Sequence, residues 1–160
     1  MSEAVRRSYV YLASVVAAVS GLLFGFDIAV INGAIIFLRQ EFHLTEVQTE
    51  AAASSLLAGC IVGASVAGWL SDRFGRRRTL IWCALLFAAS AIGAALPHTL
   101  TEFAIARFIG GLAIGSASLL APMYIAEVAP ADIRGRLVAL NQMAIVTGIL
   151  LAYLINYLLS

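Results

Sequence analysis

Residues 51–78 read AAASSLLAGCIVGASVAGWLSDRFGRRR, and this stretch decides the fold class. Residues 51–70 carry no charge, and about 20 residues is the length that a helix needs to cross the hydrocarbon core of a bilayer. Residues 71–78 then contain Asp72 and four arginines. An apolar run of this length that ends in clustered arginines is typical of a transmembrane helix that stops at the membrane surface.

The rest of the chain repeats this pattern. Of its 160 residues, 62% are hydrophobic and 12% are charged, whereas about 25% are charged in an ordinary soluble domain. The predicted spans are residues 10–37, 51–70, 79–96, 103–124 and 137–159, interrupted only by Asp27 and Arg107. Because a bilayer offers no hydrogen-bond partners to backbone N–H and C=O groups, such runs can pair these groups internally only as helices. The predicted fold class is an all-α, polytopic transmembrane bundle.

Composition also excludes several functions. A net charge of +1 argues against a nucleic-acid binder that works through a basic surface. Cys60 and Cys83 each lie inside an apolar run and are interpreted as small buried hydrophobes, not as a disulfide. The sequence has no metal-ligand spacing, and the spans contain no Ser/His pair or paired catalytic aspartates. We therefore predict no metal, no cofactor and no enzyme.

The orientation follows from the basic residues, which are all arginines. Short cytoplasmic loops retain such charges, and exported loops lose them. Arg39 stands alone on one predicted side, while eight arginines share the other. These eight are Arg6, Arg7, Arg73, Arg76, Arg77, Arg78, Arg134 and Arg136. The sequence thus predicts an inner-membrane, multi-pass protein with a cytoplasmic amino terminus and an outward carboxyl terminus.

A cleaved signal peptide is the alternative for the first span. Arg6 and Arg7 precede an apolar stretch that includes the small residues of Ala18-Val19-Ser20. A signal peptide has an apolar core of about 7 to 15 residues, but this run continues to Phe37. The first span is therefore interpreted as a retained helix.

Small residues recur at every fourth position on three of the spans. The sets are Gly21/Gly25, Gly59/Gly63/Ala67 and Gly111/Gly115. This spacing lets two helix backbones approach closely in lipid. Because the sets lie on three different helices, internal packing is favoured over a homodimer seam.

Asp27 and Arg107 are the charged residues inside the predicted spans. A charge in a span is costly unless it has a partner or a task. With a rise of 1.5 Å per residue, the two residues lie roughly 6 and 9 Å outside the midplane, on the same side. They could form a structural ion pair. They could equally form a titratable switch, since the proton affinity of a carboxylate in low dielectric depends on a nearby movable cation.

The fifth span places Gln142, Ile149 and Asn156 on one helical face, at seven-residue spacing. An amide that both donates and accepts hydrogen bonds suits a ligand rich in hydroxyl groups. Hydrogen bonding between helices is the alternative use, and it is favoured more for Asn156 because that residue lies near the outer end. Phe24, three residues before Asp27, is placed either beside an apolar sugar face or in ordinary packing.

Three motifs carry a family resemblance. The loop Gly68-Trp-Leu-Ser-Asp72-Arg-Phe-Gly75-Arg-Arg-Arg78 resembles the G-x-x-x-D-R-x-G-R-R loop between the second and third helices of major facilitator superfamily sugar porters. Arg107-Phe-Ile-Gly-Gly111 and the segment from Pro122 to Gly135, with Glu127 and Arg134, resemble a second signature. The first and fifth spans are also similar to this family, so the resemblance covers essentially all 160 residues.

The resemblance implies specific roles for the intramembrane residues. Asp27 matches the proton-coupling carboxylate of the proton-driven members, and Arg107 matches its partner on the fourth helix. Gln142 matches a glutamine that hydrogen-bonds the sugar, and Phe24 an aromatic beside the sugar. Where some members place a second glutamine, this chain has Ile149, so the resemblance assigns no particular sugar.

The resemblance also implies a cytoplasmic charge network that holds the outward-open state. The matching positions are Gly68, Asp72, Arg73, Gly75, Arg76, Arg77, Glu127 and Arg134. Family members have twelve helices in two halves with the substrate between them. The 160 residues therefore correspond to an incomplete amino-terminal half.

The expected function is that of a fragment of a proton-coupled monosaccharide symporter that works by alternating access. Its expected partners are a monosaccharide, a proton, the lipid bilayer and the missing carboxyl-terminal half, with no nucleic acid. A facilitative uniporter is the first alternative, although it has no need of a buried acid. A non-transporting membrane module that associates with a partner is the second.

Overall fold

The computed structural model describes residues 15, 16, 18–31, 33, 35, 39 and 42–159. Arg6, Arg7, Phe37 and the beginning of the predicted first span lie outside the described residues. The described elements are the helices α1 (Ala18–Ile31), α2 (Glu46–Phe74), α3 (Arg76–Ala95), α4 (Leu100–Val128) and α5 (Arg134–Leu159). Helices α2 to α5 are each long and apolar enough to cross a membrane. Predicted spans 51–70, 103–124 and 137–159 fall inside α2, α4 and α5, and span 79–96 extends one residue past α3.

Side-chain caps fix where α2 and α4 begin. The Thr45 hydroxyl accepts a hydrogen bond from the Gln48 backbone N–H, while the Gln48 side chain accepts from the Thr45 backbone N–H at 3.0 Å. At α4, Thr99 Oγ1 accepts from the Glu102 N–H at 3.2 Å, and the Glu102 carboxylate accepts from the His98 N–H at 2.9 Å. Such reciprocal caps satisfy backbone donors that the first helical turn leaves without partners.

The described chain divides into two compact units. One unit contains α1, the end of α4 from Ala121 and α5, and the other contains α2, α3 and the first part of α4. The division falls one residue before Pro122, which lies inside α4 and lacks a backbone donor.

Glycines on α2 and α4 interlock the backbones of these two helices. A Cβ added to Gly63 would overlap the carbonyl oxygen of Leu112, and one added to Gly111 would overlap that of Leu56. The Ser116 hydroxyl also donates a hydrogen bond to the Gly63 carbonyl oxygen at 2.9 Å. The residue numbers of the contacting pairs increase together along α2 and α4. The two helices therefore run parallel, as two helices separated by one intervening span must.

Glycines join α1 to α5 in the same way. A Cβ added to Gly25 would overlap the Ile145 carbonyl oxygen, and one added to Gly148 would overlap the Leu22 carbonyl oxygen. These two helices also run parallel. The prediction that the small-residue sets serve packing within the chain is therefore confirmed for the glycines of α1, α2 and α4.

The outer faces of the helices are apolar. Large hydrophobic side chains are more than half exposed on α2, α3 and α5, for example Ile61, Leu85 and Leu150. A soluble monomer rarely exposes so much contiguous apolar surface. Together with helices of spanning length, these faces fit a polytopic membrane bundle.

We expect Gly63→Ala to destabilise the protein and Gly68→Ala to leave it intact. The added methyl at Gly63 would force the α2 and α4 backbones apart, at a cost of about 1–3 kcal/mol. Gly68 lies on the same helix, and an added Cβ there meets nothing within 4 Å. Both substitutions gain the same helix propensity, so the difference in thermal unfolding midpoint in detergent isolates the packing term. Equal midpoints for the two variants would contradict the close helix approach.

Candidate functional site

Helix α1 presents two opposite faces. Gly21, Gly25 and Ala29 contact α5. Asp27 is two residues beyond Gly25, about 200° around the helix, and so lies on the face that points away from α5. Phe24 lies three residues before Asp27 and shares its side of the helix. Both side chains are partly buried.

Arg107 is the predicted partner of Asp27, and it belongs to α4. Its side chain is only 5% exposed, within a helix whose neighbouring residues are apolar. Such burial is unusual for an arginine, and a buried charge in a membrane helix is a candidate for a functional position. Asp27 and Arg107 fall in different units, and their pairing stays a prediction.

The three predicted polar-face positions of α5 differ in their surroundings. Gln142 is exposed, and Ile149 is partly buried. The Asn156 side-chain N–H donates a hydrogen bond to the Ala29 carbonyl oxygen of α1 at 3.2 Å. This is the interhelical contact that the packing interpretation of Asn156 requires.

Sequence reasoning missed Asn141, which precedes Gln142. Its side chain is 6% exposed, and its Oδ1 has no hydrogen-bond partner among the described residues. A Cβ added to Gly21 would lie 2.8 Å from this oxygen, so the amide rests directly on the α1 backbone. The available signal was spacing, because Asn141 lies seven residues before Gly148 and therefore shares its buried face.

The arginine loop between α2 and α3 is organised around Ser71 and Asp72. Arg76 forms an ion pair with Asp72 and donates a hydrogen bond to the buried Ser71 hydroxyl at 2.8 Å. The Gly75 N–H closes the end of α2 by donating to the Ser71 carbonyl oxygen at 2.9 Å. Gly75 has φ +87°, a conformation that side-chain-bearing residues rarely adopt, and this explains the glycine at that motif position.

The other loop positions make fewer contacts. The Arg73 guanidinium lies 5.7 Å from the centre of the Trp69 ring, a cation–π distance. Arg77 and Arg78 are exposed. Thus Asp72 and Arg76 form an ion pair within the loop and Arg73 lies over Trp69, while the charge network itself stays a prediction.

Glu127 and Arg134 lie at the junction of α4 and α5. Arg134 donates a hydrogen bond to the Ala129 carbonyl oxygen at 3.3 Å, which caps the end of α4 with a cation. Both side chains are exposed, and they belong to the other unit from Asp72. A network that joins all these charges stays a prediction.

A cavity of about 340 Å³ between α3 and α4 is a poor candidate for a sugar site. Its lining is mainly apolar, with Ser90 and Glu102 as polar members. The Ser90 hydroxyl already donates to the Phe87 carbonyl oxygen, and Glu102 already caps α4. None of the predicted substrate-binding residues lines this cavity.

Comparison with known proteins decides the family. Residues 13–160 match the family model described as "Sugar (and other) transporter". The chain belongs to the sugar transporter family. The resemblance seen in the arginine loop and in the Arg107 motif is thereby confirmed, as is membership of the major facilitator superfamily.

Several curated relatives carry names of specific transporters. The chain is 48% identical over 152 residues to a glucose transport protein of Synechocystis sp.. The aligned residues cover 95% of this chain and 32% of the relative. It is 41% identical to the D-xylose-proton symporter of Escherichia coli, covering all of this chain and 38% of the relative. It is 47% identical to the arabinose-proton symporter of Bacillus subtilis, covering 92% and 32%.

Solved structures show the same relationship. The proton:xylose symporter XylE bound to 6-bromo-6-deoxy-D-glucose superposes with a TM-score of 0.85 at 42% identity, over 96% of this chain and 38% of that chain. An inward-open conformation of XylE from E. coli gives a TM-score of 0.83 at 40% identity. The chain thus spans about a third of the length of the relatives, and its fold is part of an amino-terminal half of a major facilitator bundle.

We expect Gly75→Ala to destabilise the arginine loop. The Cβ would force an unfavourable backbone conformation, which typically costs about 1–3 kcal/mol. Gly135→Ala is the matched control, because Gly135 also has open space around it but sits in the first turn of α5. Hydrogen–deuterium exchange should rise at residues 71–79 in the first variant only. Unchanged exchange there would show that the loop tolerates another conformation.

Proposed function

We propose that these 160 residues form part of the amino-terminal half of a proton-coupled monosaccharide symporter that works by alternating access. One observation carries the proposal: a sugar-transporter fold that buries Arg107 in an otherwise apolar helix. Relatives at 41% and 47% identity are named as proton symporters of D-xylose and arabinose, which supports both the proton and the sugar class. The chain then acts together with a carboxyl-terminal half and the bilayer, not as an enzyme.

In this proposal Asp27 carries the coupled proton. A carboxylate within a membrane span is costly when charged, so neutralisation by a proton or by the Arg107 guanidinium lowers that cost. Exchange between these two neutralising partners makes the stable conformation depend on protonation. A ligand shifts a conformational equilibrium only through different affinities for the two states, and protonation of Asp27 supplies that difference for the proton.

Gln142 is the proposed sugar ligand on this side of the binding site. Its amide is exposed on α5 and both donates and accepts hydrogen bonds, as sugar hydroxyl groups require. Phe24 would contact the apolar face of the sugar. Ile149, about two helical turns after Gln142 on α5, would offer the sugar no side-chain hydrogen bond. Asn156, by its bond to Ala29, contributes mainly by fixing α1 against α5.

The proposed cytoplasmic charge network stabilises the outward-open state. Asp72 and Arg76 provide one rigid element of it, anchored on Ser71. Arg134 and Glu127 provide the other, at the end of α4. These assignments place the arginine loop and the amino terminus in the cytoplasm of an inner-membrane, multi-pass protein, as the asymmetry of arginines favours.

A facilitative uniporter is the alternative within transport. It would share Gln142 and the charge network, but its cycle would not depend on Asp27. The proton-symporter names of the relatives favour coupling over this alternative. The experiment that follows separates the two.

Asp27→Asn and Gln142→Ala should fail in different ways in the full-length protein. Asp27→Asn fixes a neutral side chain of the same shape, so accumulation driven by a pH gradient should vanish while sugar exchange at equilibrium persists. Gln142→Ala removes hydrogen bonds to the sugar, so the KM for uptake should rise roughly tenfold while coupling persists. Both are measured with radiolabelled xylose, arabinose and glucose in proteoliposomes.

Glu50→Gln is the control for the charge change, because Glu50 is an exposed carboxylate on α2. It should leave uptake and exchange unchanged. Accumulation by Asp27→Asn in response to an imposed pH difference would contradict the coupling role and favour the uniporter.

Cysteine labelling at the two ends of α4 tests the proposed orientation. In a Cys60→Ala/Cys83→Ala background, His98→Cys should react with a membrane-impermeant maleimide in intact cells, since His98 is exposed on the predicted outer side. Asp132→Cys, exposed at the other end, should react only after the cells are permeabilised. The reverse pattern would place the arginine loop outside.

A further inference from the structure

A shallow, open apolar depression lies on the exposed face of α3 beyond the arginine loop, and we refer to it as a groove. It has a volume of about 400 Å³ and is lined by Trp82, Leu85, Leu86 and Ala89. Trp82 is 41% exposed and Leu85 is 64% exposed. Such a surface, almost wholly apolar, suits an acyl chain better than a hydroxyl-rich sugar.

One arginine, Arg78, precedes this groove on the same face of α3. Arg78 precedes Trp82 by four residues and Trp82 precedes Leu86 by four, so the three share one face of α3. Arg78 is therefore about 6 Å from Trp82 along the helix axis, towards the arginine loop. Arg77 comes directly before Arg78, about 100° around the helix, and both side chains are exposed. We call Arg77, Arg78 and the four lining residues the α3 groove.

The charge of this end is not balanced locally. Asp72 forms its ion pair with Arg76. Arg77 and Arg78 make no hydrogen bond or ion pair with the residues that the structure describes. The first turn of α3 contains no acidic residue, and cations are unfavourable at the amino-terminal end of a helix dipole. An anion beside Arg77 and Arg78 would balance their positive charge and would also interact favourably with the amino-terminal end of the helix dipole.

The geometry points to a binding site for one anionic phospholipid in the α3 groove. We propose that Arg78 binds the phosphate, which a planar guanidinium can do through paired hydrogen bonds, while Arg77 adds positive charge beside it. One acyl chain then lies along Leu85, Leu86 and Ala89, and Trp82 occupies the boundary between headgroup and hydrocarbon, where tryptophan is enriched. The proposal depends on the membrane-spanning fold and not on the proposed transport cycle.

Charge complementarity selects this occupant over a further helix. A membrane helix laid on the groove would fill the apolar part but would have to supply acidic residues to Arg77 and Arg78. An anionic lipid supplies an acyl chain and a phosphate in one molecule. Basic residues at the membrane surface attract such lipids by roughly fivefold for each arginine.

Quenching of Trp82 fluorescence by brominated lipid tests the proposal. The full-length protein is reconstituted in phosphatidylcholine vesicles that contain a fixed fraction of brominated phosphatidylglycerol or, separately, of brominated phosphatidylcholine. Subtracting the signal of Trp82→Phe isolates Trp82 from Trp69 and from any other tryptophan. We expect the anionic lipid to be enriched at Trp82 several-fold over the neutral one.

Arg78→Gln should reduce that enrichment roughly fivefold. Arg136→Gln is the matched control, because it removes one exposed arginine at the start of α5, on the same predicted side of the membrane. It should leave the enrichment at Trp82 unchanged. An equal loss in both variants would show only a general surface-charge effect and would overturn the specific site.

Two other results would also overturn the proposal. Equal quenching by the anionic and neutral lipids would show that the groove does not select a phosphate. Absence of quenching by either lipid would show that protein covers the groove, either another part of the same molecule or a second copy. Because the measurement requires no sugar, its failure would leave the proposed symport untouched, and loss of symport would not explain a failure here.

Discussion

The packing of this protein depends on one repeated contact, a glycine Cα placed against a carbonyl oxygen of the neighbouring helix. It occurs in both directions between α2 and α4, at Gly63 and Gly111, and in both directions between α1 and α5, at Gly25 and Gly148. Lipid tails are as apolar as leucine, so burial of apolar side chains drives helix association only weakly in a membrane. Close backbone approach gains dispersion energy and weak Cα–H to oxygen bonds instead. The polar contacts follow from it, since Asn156 and Ser116 reach backbone carbonyls of the facing helix.

How far the sequence determined these features differs from element to element. Four of the apolar runs correspond closely to α2 through α5, because span length and the absence of charge are physical requirements of the bilayer. The glycine repeats predicted close packing between helices for a similar reason. Within the arginine loop, the sequence predicted a charge cluster. It did not predict that Arg76 both pairs with Asp72 and donates a hydrogen bond to Ser71. The spacing of Asn141 from Gly148 predicts its face of α5, but its burial was overlooked because that depends on how closely α1 approaches α5.

The arginines of one loop serve different physical purposes. Arg76 is tied to the end of α2, Arg73 lies over the Trp69 ring, and Arg77 and Arg78 face outward from the start of α3. Positive-inside bias alone predicts their side of the membrane and nothing about this division. Gly75 separates Arg73, at the end of α2, from the arginines at the start of α3, because one helix ends and the next begins on either side of this single residue.

The seam between α1 and α5 restricts how the proposed sugar and proton residues can move. Gly25 and Gly148 allow contact at one register only, since a slide by a single residue would bring larger side chains against the opposing carbonyls. We therefore expect α1 and α5 to move as one body in the proposed cycle. Asp27 and Gln142 both belong to that body, so the proposed change of state would arise at its contacts with other helices and not between α1 and α5.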